Sequence, residues 1–192
     1  LYRSVQRERG ETVREDRLTE SSAGMYFENT IAWLPSFRSV AGVRYDAYRF
    51  DVDSSIEGNT GKASSGIASP KLSLVFGPWS KTELFVNYGK GFHSNDARGT
   101  TQAASPVTPL VATRGMELGA RTEIVPGLQS SVALWRLDID SELLFIGDAG
   151  DTEASRASRR RGIEWNNHYI AAPWLLFDLD LAVSRARFTQ DD

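Results

Sequence analysis

Eight carboxylates alternate with other residue types in strand-like segments: Glu83, Glu117, Glu123, Asp138, Asp140, Glu164, Asp178 and Asp180. Paired carboxylates can move protons, as they do in glycoside hydrolysis. Their neighbours suggest a different use. Residues 175–183 read Leu-Leu-Phe-Asp-Leu-Asp-Leu-Ala-Val. In a strand, Leu175, Phe177, Leu179, Leu181 and Val183 fall on one side, and Asp178 and Asp180 on the other. A helix, repeating every ~3.6 residues, would mix the two sets. The same segregation sets Met116, Leu118 and Ala120 against Glu117 and Arg121. It sets Leu84, Val86 and Tyr88 against Glu83 and Asn87, and Ile163, Trp165 and Tyr169 against Glu164. In 129–140, Trp135, Leu137 and Ile139 oppose Arg136, Asp138 and Asp140, with Val132 and Leu134 on the charged side. All eight carboxylates are expected to face a wet interior, paired with Arg44, Arg121 and Arg136. Such a wall needs no bond-breaking chemistry, and no enzymatic activity is expected.

Other reactive residues are sparse. His93 and His168 are the only histidines, and cysteine is absent. A metal site needs several ligands brought together, so neither a metal nor a cofactor is expected. Gly89-Lys90-Gly91 and Gly58-Asn59-Thr60-Gly61-Lys62 lack the spacing of a phosphate loop. Gly89 and Gly91 instead suit close backbone approach or strand bending. The chain carries 22 Lys+Arg against 25 Asp+Glu, net −3. That balance is not the basic footprint of nucleic-acid binding. Asn95, Asp96 and Arg98, in a polar loop just past a strand, are the candidates for contact with a small solute.

The elements that position these residues read as eight strands, about 25–33, 38–52, 69–76, 82–93, 114–125, 129–145, 159–171 and 174–188. Short connections (34–37, 77–81, 126–128 and the Pro173 corner) alternate with long polar ones (53–68, 94–113, 146–158). No stretch approaches the roughly 20 apolar residues of a spanning helix. A membrane β-barrel hides its apolar band in every second residue, with short turns at one end and long loops at the other. Residues 1–24 read as an external loop, with the end of an earlier strand at Leu1 to Val5. Trp33, Trp79 and Trp174 at the short-turn ends, and Tyr45, Tyr48 and Phe50 toward a long-loop end, fit the aromatic belts of a membrane protein.

Several stretches, in order and spacing, resemble the barrel of TonB-dependent outer-membrane receptors. These are Tyr26-Phe27-Glu28-Asn29-Thr30 with Trp33 and Ala41-Gly42-Val43-Arg44-Tyr45-Asp46, then Asn87-Tyr88-Gly89-Lys90-Gly91-Phe92. Glu117-Leu118-Gly119-Ala120-Arg121 follows, and then Gly147-Asp148-Ala149-Gly150 with Ser158 to Glu164. The resemblance covers roughly 21–190. It implies an antiparallel up-and-down transmembrane β-barrel of the Gram-negative outer membrane, with short periplasmic turns and long extracellular loops. This chain would supply about eight of roughly 22 strands. Residues 1–192 would be a partial barrel, with four hairpins over 25–188 and the plug domain absent. The implied function is import of a scarce solute: a siderophore-type metal chelate, cobalamin or an oligosaccharide. The implied partners are outer-membrane lipid, that solute, and a TonB-type energising complex reached through the plug. Arg44, Glu83, Asn87, Glu117, Arg121, Glu164, Asp178 and Asp180 would then face the lumen.

Two rival readings make distinct demands. A complete eight-stranded barrel with a structural or adhesion role would pair strand 25–33 with strand 174–188. A soluble β-sandwich, binding carbohydrate or acting as a hydrolase, would bury Phe177, Leu179 and Leu181 against a second sheet.

Overall fold

The computed structural model describes residues 2–5, 8–12, 15–56, 58–141, 143–146, 151–154 and 156–189. Strands β1 (Tyr2–Val5) and β2 (Glu8–Thr12) form a small hairpin of their own. Strands β3 (Asp16–Leu34), β4 (Phe37–Ser54), β5 (Gly61–Trp79), β6 (Thr82–Ser94), β7 (Leu110–Thr122) and β8 (Leu128–Ile139) run antiparallel, each on its predecessor. A short helix, α1 (Ala97–Thr101), lies between β6 and β7. Strands β9 (Leu143–Ile146) and β10 (Asp151–Ala154) pair only with each other. Strand β11 (Ser158–Ala172) then joins β8, and β12 (Leu175–Phe188) joins β11, which completes an eight-stranded sheet.

β3 and β12 are the two ends of that sheet and do not pair with each other. The closed eight-stranded reading therefore fails. Phe177, Leu179 and Leu181 remain 54%, 49% and 50% exposed, so no second sheet covers them and the sandwich reading fails too.

The register fixes which side chains share a face. Ile31, Ser39, Leu74, Val86, Leu118, Leu134, Ile163 and Val183 stand side by side in one row across all eight strands. This face carries an apolar band. On β3 the band climbs above the row to Met25 and Ala23, six and eight residues away. On β12 it stops in the row at Val183 and runs down to Leu175. Seven strand-to-strand steps thus lower the band by about one residue each. That is roughly 3.3 Å of descent for 4.8 Å across, a tilt of about 35°, which is what closing a barrel requires. Polar groups on the band face satisfy one another. Trp33 Nε1 donates to Ser39 Oγ at 2.8 Å, Trp165 Nε1 to Ser130 Oγ at 3.0 Å, and Ser130 Oγ to Asn167 Oδ1 at 2.7 Å. An unpaired polar group would be costly in hydrocarbon.

Several strands outrun their sequence-based bounds. β3 begins at Asp16, so 16–24, expected as loop, pair residue by residue with 46–54. Of the expected loop 53–68, the described residues outside strands are 55, 56 and 58–60, because β4 reaches Ser54 and β5 starts at Gly61. Residues 16–24 are mostly polar on both faces and 61–68 are mostly Gly, Ala and Ser, so alternation of hydropathy is too weak to mark a strand there. β7 likewise starts at Leu110 rather than near 114, and ends at Thr122. β8 ends at Ile139, and Leu143–Ile146 form β9, so the expected strand 129–145 is two elements. Tyr2–Val5 is a strand, but it pairs with β2 and stays apart from the main sheet. The stretch 147–150 lies outside the described residues.

The short ends are tight. Ser80 and Lys81 join β5 to β6 with φ of 47° and 60°. Positive φ at both central residues matches the twist that a two-residue hairpin needs.

Candidate functional site: the face opposite the apolar band

The register gathers Arg44, Glu83, Asn87, Glu117, Arg121, Glu164, Asp178 and Asp180 on the face opposite the band. Arg136 and Asp138 do not join them. They share the face of Leu134 and Met116, in contrast to the wet-interior position expected of them. The descent of the band explains this. By β8 the band has ended at Leu134, so Arg136 and Asp138 sit above it on the same side. Trp135 and Leu137, the apolar half of that strand, belong to the opposite face.

Near the short turns that face is an ionic lattice. Arg38 binds Glu83 with both guanidinium nitrogens, at 2.7 and 3.1 Å. Arg121 approaches Glu83 from the other side, Nε at 2.7 Å and Nη2 at 2.5 Å. Bidentate guanidinium–carboxylate pairs fix geometry as well as charge. Three strands, β4, β6 and β7, are cross-braced by one carboxylate. The lattice opens into a polar hollow that also contains Glu123, Ser131, Asn166, His168, Asp178 and Asp180. His168 Nδ1 lies 2.6 Å from Asp178 Oδ1, and Gln129 Nε2 donates to Glu123 at 3.1 Å.

Higher up, a polar track crosses β5, β6 and β7. Ser73 Oγ donates to Asn87 Oδ1 at 2.5 Å, and Asn87 Nδ2 donates to Glu117 Oε2 at 3.1 Å. Gly89 and Gly115 pair beside it and leave a dent between Lys71 and Trp135. A Cβ at Gly89 would meet only ordinary contacts near 3.8 Å. Close backbone approach is therefore not why glycine stands there; missing side chains are. Trp135 packs on Gly162, where a Cβ would sit 2.8 Å from Trp135 Cζ2. Trp135 Nε1 is buried without a hydrogen-bond partner.

At the long-loop end, pairing of β5 with β6 stops at Lys71. The next residue, Pro70, has no N–H to offer a ladder. α1 packs beyond this point on β3, β4 and β5. Phe50, Val52, Ala97 and Leu110 form a small core, with Tyr48 and Phe92 against it. Tyr48 stacks on Phe50 with centroids 6.0 Å apart, and meets Phe92 edge-on at 5.7 Å. Tyr48 and Phe50 share the face of Asp46, so they are internal, unlike Tyr45; the sequence expectation of a membrane belt is corrected for both. Asp46 is itself buried and held by Arg44 at 2.7 to 2.9 Å.

The candidate solute residues sit at this knot. Asn95 is 4% exposed; its amide donates to Thr108 O at 2.6 Å and its backbone N–H to Pro109 O at 2.8 Å. It closes the 95–109 loop. Asp96 caps α1 by accepting from Arg98 N at 2.8 Å, and also binds the Arg98 guanidinium at 2.6 Å. Arg98 reaches toward Asp16 at 3.9 Å and keeps 45% of its side chain exposed. His93 is the penultimate residue of β6, which ends at Ser94 just before the candidates. Arg38, Ser73, Lys71 and Trp135 escaped the sequence reading. Arg38 had a signal, since spacing by twos puts it on the same face of β4 as Val40, Gly42 and Arg44. Among the described residues no cluster of three His, Cys, Asp or Glu could hold a metal ion.

Comparison with known proteins agrees with this architecture. The family model of the TonB-dependent receptor-like β-barrel matches residues 2–192. The metal-pseudopaline receptor CntO of Pseudomonas aeruginosa is 25% identical over 122 residues, which is 59% of this chain and 17% of that receptor. Among solved structures, the ferric yersiniabactin uptake receptor FyuA of Yersinia pestis superposes with a TM-score of 0.73 at 18% identity, over 93% of this chain and 28% of its own. The alcaligin outer-membrane receptor FauA of Bordetella pertussis gives 0.72 at 15%, over 91% and 31%. The chain therefore spans under a third of each of these receptors. It belongs to the TonB-dependent receptor-like β-barrel family, whose members are Gram-negative outer-membrane proteins.

Proposed function

We propose that this chain is the β3–β12 arc of an outer-membrane import receptor, and that the face opposite the band lines its lumen. The carrying observation is two polar clusters on one face, Ser73–Asn87–Glu117 above Arg38–Glu83–Arg121, set behind an apolar outer band. Such a wall can pass a hydrated solute and cannot face hydrocarbon at low cost. Transport of this kind needs differential binding and gating rather than bond cleavage, and we assign no enzymatic step.

The solute class we favour is a metal chelate. A metal-pseudopaline receptor and the yersiniabactin and alcaligin receptors are among the proteins this chain is similar to. The dent beside Gly89 and Gly115 is bordered by the Lys71 ammonium, which pairs with Glu28, and by the indole of Trp135. Arg98 adds an exposed cation at the loop end. Roughly 14 further strands, a plug and an energising inner-membrane partner complete the scheme for a barrel of about 22 strands.

The test is uptake. Cells carrying the intact receptor should accumulate a labelled metal–chelate complex only while the inner membrane is energised. Accumulation that persists after the proton gradient is collapsed would remove the active-transport reading. Uptake of cobalamin or an oligosaccharide, with none of the chelates, would replace the solute class.

A further inference from the structure

Above Lys71 the main sheet is open along one seam. β5 keeps its ladder with β4 up to Gly61, while its ladder with β6 ends at Lys71 and Gly89. From Lys90 to Ser94, β6 pairs with β7 alone. The two sides of the seam also differ in depth. Phe92 and Leu110 are in phase with Val86 and Leu118 of the band face, yet they pack with Tyr48, Phe50 and Val52 from the opposite face of β4. β6 and β7 have stepped inward behind β5, and the edge of β5 is left without a neighbour. Among the described residues, no backbone group of 62–69 is bonded to anything except β4.

The seam opens where the apolar band ends. On the band face, β5 runs Phe76, Leu74, Leu72, Pro70 and Ala68, then Gly66, Ser64 and Lys62. The free edge therefore lies in water, where unpaired N–H and C=O groups are hydrated, and not in hydrocarbon, where they would be costly. Free edges are usually guarded by charge, proline or a bulge. Over 62–69 the one charged side chain, Lys62, is held by Asp51 at 2.8 Å, and the ladder with β4 has no bulge. At the foot of the edge, Ser69 Oγ is buried without a hydrogen-bond partner. Across the seam stands Lys90, exposed and without an ion pair among the described residues.

We propose that the β5 edge over 62–69 docks an extended strand of another polypeptide outside the cell, with a carboxylate at the end that meets Lys90. A strand edge presents donors and acceptors at a fixed repeat, and an extended polypeptide reproduces that repeat along its whole length. A sugar or a lipid would leave most of the row unmet. The unpaired ammonium of Lys90 sets the charge of the partner's end. This surface lies apart from the polar wall, so it does not depend on which solute is imported.

The probe is a short labelled peptide of mixed Thr and Val ending in Asp, titrated into the intact receptor in dodecyl maltoside. It should bind saturably and slow hydrogen exchange at alternate amides of 62–69. Shuffling its Thr and Val should change affinity little, because the main chain is what is recognised. N-methylating its amides should weaken binding about thirtyfold or more, the loss expected for two or more hydrogen bonds. Lys90→Glu should transfer the preference to a peptide ending in Lys, and unaltered heat-modifiable gel mobility reports that the variant has folded. Absence of binding, or equal binding of the N-methylated peptide, would overturn the proposal. Slow exchange of every amide of 62–69 in the free receptor would show the edge already covered by its own chain, and would overturn it equally. Disulfide-linked receptor dimers through Ala68→Cys would assign the edge to a second copy instead.

Discussion

Arg38 on β4 reaches past β5 to Glu83 on β6, and closes two hydrogen bonds of 2.7 and 3.1 Å. Arg121 takes the remaining side of the same carboxylate. Glu83 is thus an anion held between two cations on the face opposite the apolar band, with 14% of its side chain exposed. Glu83→Gln should leave Arg38 and Arg121 facing each other without a counter-charge. Charge-assisted hydrogen bonds of this kind, discounted for solvent, are worth about 1–2 kcal/mol. Urea unfolding of the intact barrel in detergent should show a loss of that order, and Arg38→Gln combined with Glu83→Gln should lose less than the two changes summed.

Gly119 lies under the ring of Phe85 and against the carbonyl of Val132. A Cβ there would come within 2.7 Å of Phe85 Cε2 and 2.6 Å of Val132 O. Gly119→Ala should destabilise the barrel by about 1–3 kcal/mol, the usual cost of overpacking. Phe85→Ala should recover part of it and not all, because the carbonyl contact remains. Full additivity in the double variant would contradict the packing.

Leu179 and Asp180 are neighbours on β12 with opposite surroundings. Leu179 is the middle of five band positions from Leu175 to Val183. Leu179→Arg should cost roughly 2–4 kcal/mol in a bilayer, and Asp180→Arg far less. Equal penalties for the two would show that the faces have been assigned wrongly.

Asn95 and Arg98 should separate by function. Asn95→Ala removes the amide that closes the 95–109 loop and should speed proteolysis there. Arg98→Ala should lower chelate affinity of the intact receptor with little effect on cleavage. Titration calorimetry and limited proteolysis of both variants check this. The reverse pattern would take the solute contact away from Arg98.

Much of this was legible in the residues. Alternation every second position marked the strands, because a pleated backbone must point successive side chains to opposite faces. It also paired the carboxylates of β6, β7, β11 and β12 with a common side. It was silent where side chains are mostly polar or small on both faces, as in 16–24 and 61–68, and there the strands were missed. It was ambiguous in β8, where Trp135 and Leu137 are apolar on one face and Val132 and Leu134 on the other. It misjudged Tyr48 and Phe50, since an aromatic near a strand's outer end suits a membrane belt and an internal core equally.

The sequence by itself therefore determined the element type, the two-sidedness of each strand and the family likeness. These are local properties, carried by spacing along one chain. Only the tertiary structure decided which side of one strand joins which side of the next. That choice is made by backbone hydrogen bonds between strands, which leave no trace in the order of side chains. Register and tilt then brought Glu83 to Arg38 across β5, moved Asp138 above the band, and left the edge of β5 unpaired above Lys71.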